Sequence, residues 1–77
     1  MDLEIITPDK TIYKGDADLI QFPGIDGSFE ILSNHAPLIS VLKQGNIKVR
    51  IGKDVDYYSV KGGVVEVLKD KVLVLAE

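Results

Sequence analysis

The sequence predicts an all-β fold: a flattened antiparallel β-sandwich of about ten short strands. Three observations carry that prediction. Apolar residues recur with period two, as in Ile47, Val49 and Ile51 set against Lys48, Arg50 and Gly52. No segment keeps a helical period of 3.6 over about eleven residues. Turn-forming Pro, Gly, Asn and Asp punctuate the chain at roughly eight-residue intervals, which suits short strands and tight connections.

Taken in order, Leu3, Ile5 and Thr7 alternate with Glu4 and Ile6 until Pro8-Asp9 turns the chain. Thr11 to Lys14 is a second strand, interrupted at Gly15. Ala17 to Phe22 is a third, stopped by Pro23-Gly24. A long irregular stretch then runs from Pro23 to Pro37, with Ile25, Phe29 and Ile31 available to anchor it, Ile25 equally able to stand exposed at the loop tip as a contact residue. Leu38 to Leu42 and Val72 to Ala76 are apolar on both faces and are expected to run through the middle. Between them lie residues 47–51, a turn at Lys53-Asp54, a strand over 55–60, and Val65 and Val67 after Gly62-Gly63. Lys69-Asp70-Lys71 makes the last turn. Ile47, Val49 and Ile51 are expected to face inward against Val65 and Val67.

Composition bounds the function. The 77 residues read as a single domain, 1–77, and 45% of them are hydrophobic, enough for a small core. Such a chain should expose roughly 4,600 Å² once folded. With 9 Lys+Arg against 12 Asp+Glu the net charge is −3, which argues against nucleic acid as a partner. There is no cysteine, so disulfide scaffolds, thiolate zinc sites and cysteine nucleophiles are excluded. No apolar run approaches the ~18 residues of a spanning helix, so direct membrane insertion is not expected. The acidic start, Met1-Asp2-Leu3-Glu4, lacks the basic region of a signal peptide.

The residue inventory points to no catalytic residue, no metal ligand set and no cofactor. His35 is the only histidine, and beside Asn34 and Pro37 it reads as a turn residue. Ser28, Ser33, Ser40 and Ser59 suggest no triad. Asp16/Asp18 and Asp54/Asp56 are i,i+2 pairs, which on a strand share one face and read as solvated, aggregation-resisting edges. Gly24-Ile25-Asp26-Gly27 has two glycines, but no Lys-Ser/Thr follows, so it is not a phosphate loop. The informative stretch is PGIDGSFEILSNHAP, residues 23–37, a long loop of the kind that often carries function.

Residues 22–42, FPGIDGSFEILSNHAPLISVL, resemble the epsilon subunit of the F-type ATP synthase. The resemblance rests on His35-Ala36-Pro37-Leu38, on Tyr13-Lys14-Gly15 in the opening hairpin and on the Gln44-Gly45-Asn46-Ile47 turn. It extends to Lys61-Gly62-Gly63-Val64-Val65-Glu66-Val67, with Val72 to Ala76 closing the chain. Four motifs in the family's order cover residues 3–76. The resemblance implies a ten-stranded sandwich in the rotating central stalk, packed side-on against the gamma subunit and end-on against the membrane c-ring. It implies coupling of ion-driven rotation to ATP synthesis, no active site, and a peripheral place on the cytoplasmic face of the bacterial inner membrane. By the same resemblance Ile25, Asp26, Gly27, Ser28 and Glu30 are expected to meet the c-ring, with Pro23, Gly24, His35 and Pro37 shaping the loop.

The sequence departs from the family in carrying Glu30 where many members have Gly, and Ser33-Asn34 where many have Pro-Gly. Asn tolerates the left-handed conformation, so the turn is expected to survive. The family's helical hairpin of some fifty residues does not follow Glu77, so its inhibitory and nucleotide-binding roles are not carried over, and a naturally short form is expected. The alternative reading is a lipoyl or biotinyl carrier domain, also flattened and all-β. Its modified lysine would have to lie in Lys69-Asp70-Lys71, which lacks the usual flanking residues.

Overall fold

In the computed structural model, residues Met1–Glu77 form nine strands and no helix. They are β1 (Asp2–Ile6), β2 (Thr11–Asp16), β3 (Leu19–Gly24), β4 (Gly27–Leu32), β5 (Leu38–Leu42), β6 (Gly45–Ile51), β7 (Asp54–Val60), β8 (Gly63–Leu68) and β9 (Lys71–Ala76). Hydrogen bonding follows the order β2-β1-β9-β8-β5-β3-β6-β7, with β4 on the free side of β3. The path folds over where β5 meets β3 through one pair, Gly24 and Leu42. That corner separates a layer of β5, β8, β9, β1 and β2 from a layer of β4, β3, β6 and β7. At the far side Tyr13 of β2 and Tyr58 of β7 bring their ring centroids to 5.3 Å.

The expected all-β sandwich is present, with nine strands rather than ten. One pair departs from the antiparallel expectation: β1 lies parallel to β9, from Asp2 beside Lys71 to Ile6 beside Leu75. Here the β1–β2 hairpin meets the β8–β9 hairpin side by side, so no tight turn joins β1 to β9 and none fixes their relative direction. Thr7 closes the β1–β2 turn: its hydroxyl accepts from the Asp9 and Lys10 amides at 3.3 and 3.1 Å. Gly15 does not interrupt β2 but pairs with Leu3 inside it. β3 does stop at Pro23-Gly24, but it includes both residues. Pro23 lies where β3 changes partner from β6 to β5, so its missing N–H breaks no ladder.

The core is the meeting of the two inner faces. Leu3, Ile5, Val65, Val67, Val72 and Val74 from one layer face Ile20, Phe22, Ile31, Ile47 and Val49 from the other, and all are buried. No polar or charged side chain is buried with them. The period-two reading therefore places Ile47, Val49, Val65 and Val67 correctly. Ile51 is a correction: at the β6–β7 turn it is 42% exposed, because the opposite layer no longer covers it. That turn is Gly52-Lys53, one residue earlier than expected.

β5 and β9 have a partner strand on each side, as expected of central strands. β9 is interior to its layer, between β1 and β8, and β5 sits at the corner. Yet both expose one face: Ile39 is 70% exposed, Val41 49% and Leu75 51%. A two-layer fold covers each sheet on one side only, so an apolar outer face stays open. The exposed area, 4893 Å², is close to the expected value, and the molecule measures 26 × 22 × 19 Å.

Candidate functional site

The 23–37 stretch is not a loop. Residues 19–24 and 27–32 pair from Leu19–Leu32 to Gly24–Gly27, a regular hairpin whose turn is only Ile25-Asp26. Period two was present in it: Phe29 and Ile31 point inward, while Ser28, Glu30 and Leu32 point outward. Two glycines and a proline masked the alternation. The irregular part shrinks to 33–37.

This separates the candidate residues. Ile25 and Asp26 form the tip, and Gly27 begins β4 beside them. Ser28 follows on the outer face. Glu30 lies four strand steps from Asp26, roughly 13 Å along an edge strand and opposite Gln21. Ile25 does not anchor the segment to the core: it is 61% exposed, whereas Ile31 is buried and Phe29 stacks on Phe22 at 5.4 Å. His35 and Pro37 stand at the opposite end of the hairpin, beyond Leu32.

The tip is fastened to β5. The Ile25 amide donates to the Val41 carbonyl at 3.1 Å, and the Lys43 amide donates to the Pro23 carbonyl at 2.9 Å. Gly24 makes the close approach possible. A Cβ there would stand 2.5 Å from the Gly27 carbonyl oxygen and 2.8 Å from the Phe29 ring. Asp26 itself accepts no hydrogen bond and joins no ion pair.

The opposite end is held by side chains. Asn34 adopts the left-handed conformation at φ 64°, as its residue type allows. Its amide donates to Asp70 Oδ1 at 2.9 Å. Asp70 belongs to the β8–β9 turn, where it and Lys69 both have positive φ, and its other carboxylate oxygen lies 3.9 Å from the Met1 ammonium. His35 is exposed, with Nδ1 2.7 Å from the Ala36 carbonyl oxygen, a contact made when Nδ1 carries the proton. Asp70 and Val41 are the holding residues that the sequence reading missed. Nothing local announces Asp70, which is 36 positions from the amide it binds.

Elsewhere the chemistry is sparse. A shallow groove over β1, β2, β8 and β9 mixes Glu4, Asp16 and Glu66 with Lys14 and Lys71 around Leu73. Asp18 is engaged structurally, accepting from the Gly52 amide at 2.6 Å, so the Asp16/Asp18 pair is not one solvated face. Asp54 and Asp56 are exposed on edge strand β7. No group of three or more His, Cys, Asp or Glu side chains is disposed to hold a metal ion. Burial, with Asp56 and Tyr13 nearby, raises the Tyr58 phenol above its ordinary pKa. Val41, Val64 and Leu75 are successive partners across β5, β8 and β9, and they form an uncovered apolar row. Such rows commonly meet other proteins.

The fold defines the class first. A chain in the cryo-EM structure of the Euglena gracilis mitochondrial ATP synthase (OSCP/F1/c-ring, rotational state 1) superposes with a TM-score of 0.90 at 22% identity. The match covers 96% of this chain and 48% of that one. A chain of the Tetrahymena thermophila mitochondrial ATP synthase, central stalk/c-ring, gives 0.83 at 21% identity, covering 97% and 61%. At such identities the likeness is one of fold: an ATP-synthase-type β-sandwich. Sequence then adds the family. The model for the ATP synthase delta/epsilon chain β-sandwich domain matches residues 1–77. The ATP synthase epsilon chain of Maridesulfovibrio salexigens is 43% identical over 75 residues, 97% of this chain and 53% of its own length. That of Leptospira borgpetersenii is 39% identical over 77 residues, 100% of this chain and 61% of its own. The chain belongs to the ATP synthase delta/epsilon chain family. It spans little more than half the length of these relatives.

Proposed function

We propose that residues 1–77 act as one sandwich domain in the central stalk of a rotary F-type ATP synthase. It links the gamma subunit to the membrane c-ring and passes ion-driven rotation on, without an active site of its own. The observation that carries this reading is the family match along the whole chain, at about 40% identity to epsilon chains. The structural neighbours, chains of ATP synthase assemblies that comprise the c-ring and the central stalk, support it. The molecule also offers the two kinds of surface the role needs. An uncovered apolar row suits a partner packed side-on, and a projecting tip suits a partner met end-on. In this reading Ile25, Asp26, Gly27 and Ser28 meet the ring, with Glu30 flanking them on β4. Pro23 and Gly24 fasten the tip, while His35 and Pro37 shape the far end. The domain then lies peripherally at the cytoplasmic face of the bacterial inner membrane.

The carrier alternative finds no support in the family match. The test is a pull-down with tagged 1–77 from native membranes. Recovery of gamma and c subunits together supports the reading, and recovery of neither overturns it. Intact mass after native expression checks the alternative, since a lipoyl or biotinyl increment on Lys69 or Lys71 would revive it.

A further inference from the structure

The chain has eight aspartates, and only Asp26 is followed by glycine. A side-chain carboxyl next to a glycine amide can close a five-membered imide, because no Cβ on the following residue obstructs the ring. The other aspartates precede Leu, Lys, Ala, Val or Tyr. Two of them are also held: Asp18 by the Gly52 amide and Asp70 by the Asn34 amide. Asp26 is exposed at the hairpin turn and its carboxylate has no partner. Gly27 is exposed as well, and a Cβ built on it would meet nothing within 4 Å, so the Asp26–Gly27 link lies at an open surface.

We propose that Asp26 is a self-modification site, at which the tip of the β3–β4 hairpin isomerises to isoaspartate. The Gly27 nitrogen attacks Cγ of Asp26 and a C–N bond forms. The amide proton and the hydroxyl of the protonated carboxyl group leave together as water, giving a succinimide. Water then adds at the α-carbonyl of Asp26 and breaks the bond from that carbon to the Gly27 nitrogen. The main chain now runs through the side-chain carbons, and the α-carboxylate is free. Composition and charge count are unchanged, and no oxidant or reductant takes part. The product lengthens a two-residue turn by one methylene and moves its carboxylate. The Ile25–Val41 hydrogen bond and the pairs from Phe22–Phe29 onward lie outside the altered link, so the sandwich persists.

The full chain, kept folded at neutral pH in oxygen-18 water and then digested with trypsin, gives a peptide of residues 15–43 that contains Asp16, Asp18 and Asp26. Electron-transfer fragmentation reads both the label and the isoaspartyl linkage residue by residue. The expected result is label and isoaspartate at 26, several-fold above 16 and 18. Asp26→Glu, which must close a slower six-membered ring, should abolish both while melting like the parent. Label absent from 26, equal at all three sites, or confined to a urea-unfolded control overturns the proposal. The functional consequence rests on the tip being the ring contact. Aged chain reassembled into vesicles should then pump less per ATP than fresh chain. Isoaspartate at 26 with unchanged pumping leaves the chemistry standing and overturns the ring-contact reading instead.

Discussion

The two ends of the β3–β4 hairpin use similar residues and are held in opposite ways. At the tip, main chain holds main chain: the Ile25 amide binds Val41, Gly24 lets the strands close, and the side chains of Ile25 and Asp26 are left free. At the 33–37 end a side chain holds the backbone, Asp70 binding the Asn34 amide across 36 positions, with Asn34 in a left-handed conformation. The tip can therefore change its side chains without losing its shape. The far end depends on one side chain from elsewhere, Asp70, and on a residue at 34 that tolerates positive φ.

The largest expected effect removes the frame that both ends share. Val49 is buried on β6, paired with Ile20 of β3, so Val49→Asp places an unpaired charge between the layers. The loss should exceed about 4 kcal/mol, enough to unfold a small domain. Loss of the cooperative melt in circular dichroism is expected; a soluble, cooperatively melting variant would refute the placement.

The next prediction tests the proposed contact between the tip and a c-ring. Asp26→Lys with Glu30→Lys turns attraction into repulsion and should weaken ring contact roughly tenfold, about 1–2 kcal/mol, with the fold intact. The readout is protons pumped per ATP hydrolysed in reconstituted vesicles. Because the two residues lie roughly 13 Å apart, their single effects should add. Asp26→Lys alone should carry the larger share if the tip is the contact. A folded, assembled double variant that pumps like the parent moves the contact to the 33–37 end.

Smaller effects test how the far end is held. Asn34→Val places a β-branched residue in the left-handed region and should cost about 1–2 kcal/mol, several degrees of melting temperature, whereas Asn34→Gly should be near neutral. Equal melting of the two variants would show that φ does not matter there. Asp70→Ala should cost about 0.5–1.5 kcal/mol and deprotect the Asn34 amide in hydrogen exchange, leaving the Ile25 amide unchanged. Loss of protection at both amides would mean that the ends are not independent.

The smallest effect concerns the closure between β2 and β7, remote from both ends. Tyr58 is neutral below its ordinary pKa of 10.0 in both folded and unfolded chains. Its folded pKa is raised, so its contribution to stability is intact below about pH 10 and lost as pH rises through the folded value. A melting series into alkali should show that loss, and Tyr58→Phe should reduce it. An unchanged alkaline slope in the variant would assign the effect elsewhere.

Several features were legible in the sequence because strand alternation is a local property. Leu3/Ile5, Ile47/Val49 and Val65/Val67 declare their inward face without knowledge of what they face, and His35-Ala36-Pro37-Leu38 with Gly62-Gly63 carries the family. The extent of β4 was hidden by Gly24, Gly27 and Pro23, which serve as turn signals in isolation. Here they serve a two-residue turn and a change of strand partner. What tertiary structure alone decided is which residues that are distant in sequence meet. It set β1 parallel to β9, Asp70 on the Asn34 amide and Val41 on Ile25, left Ile51 beyond the covering layer, and left Ile39, Val41 and Leu75 bare. Period and composition determine which face of a strand is apolar. Whether anything lies over that face depends on how many layers the chain can build, and 77 residues build two.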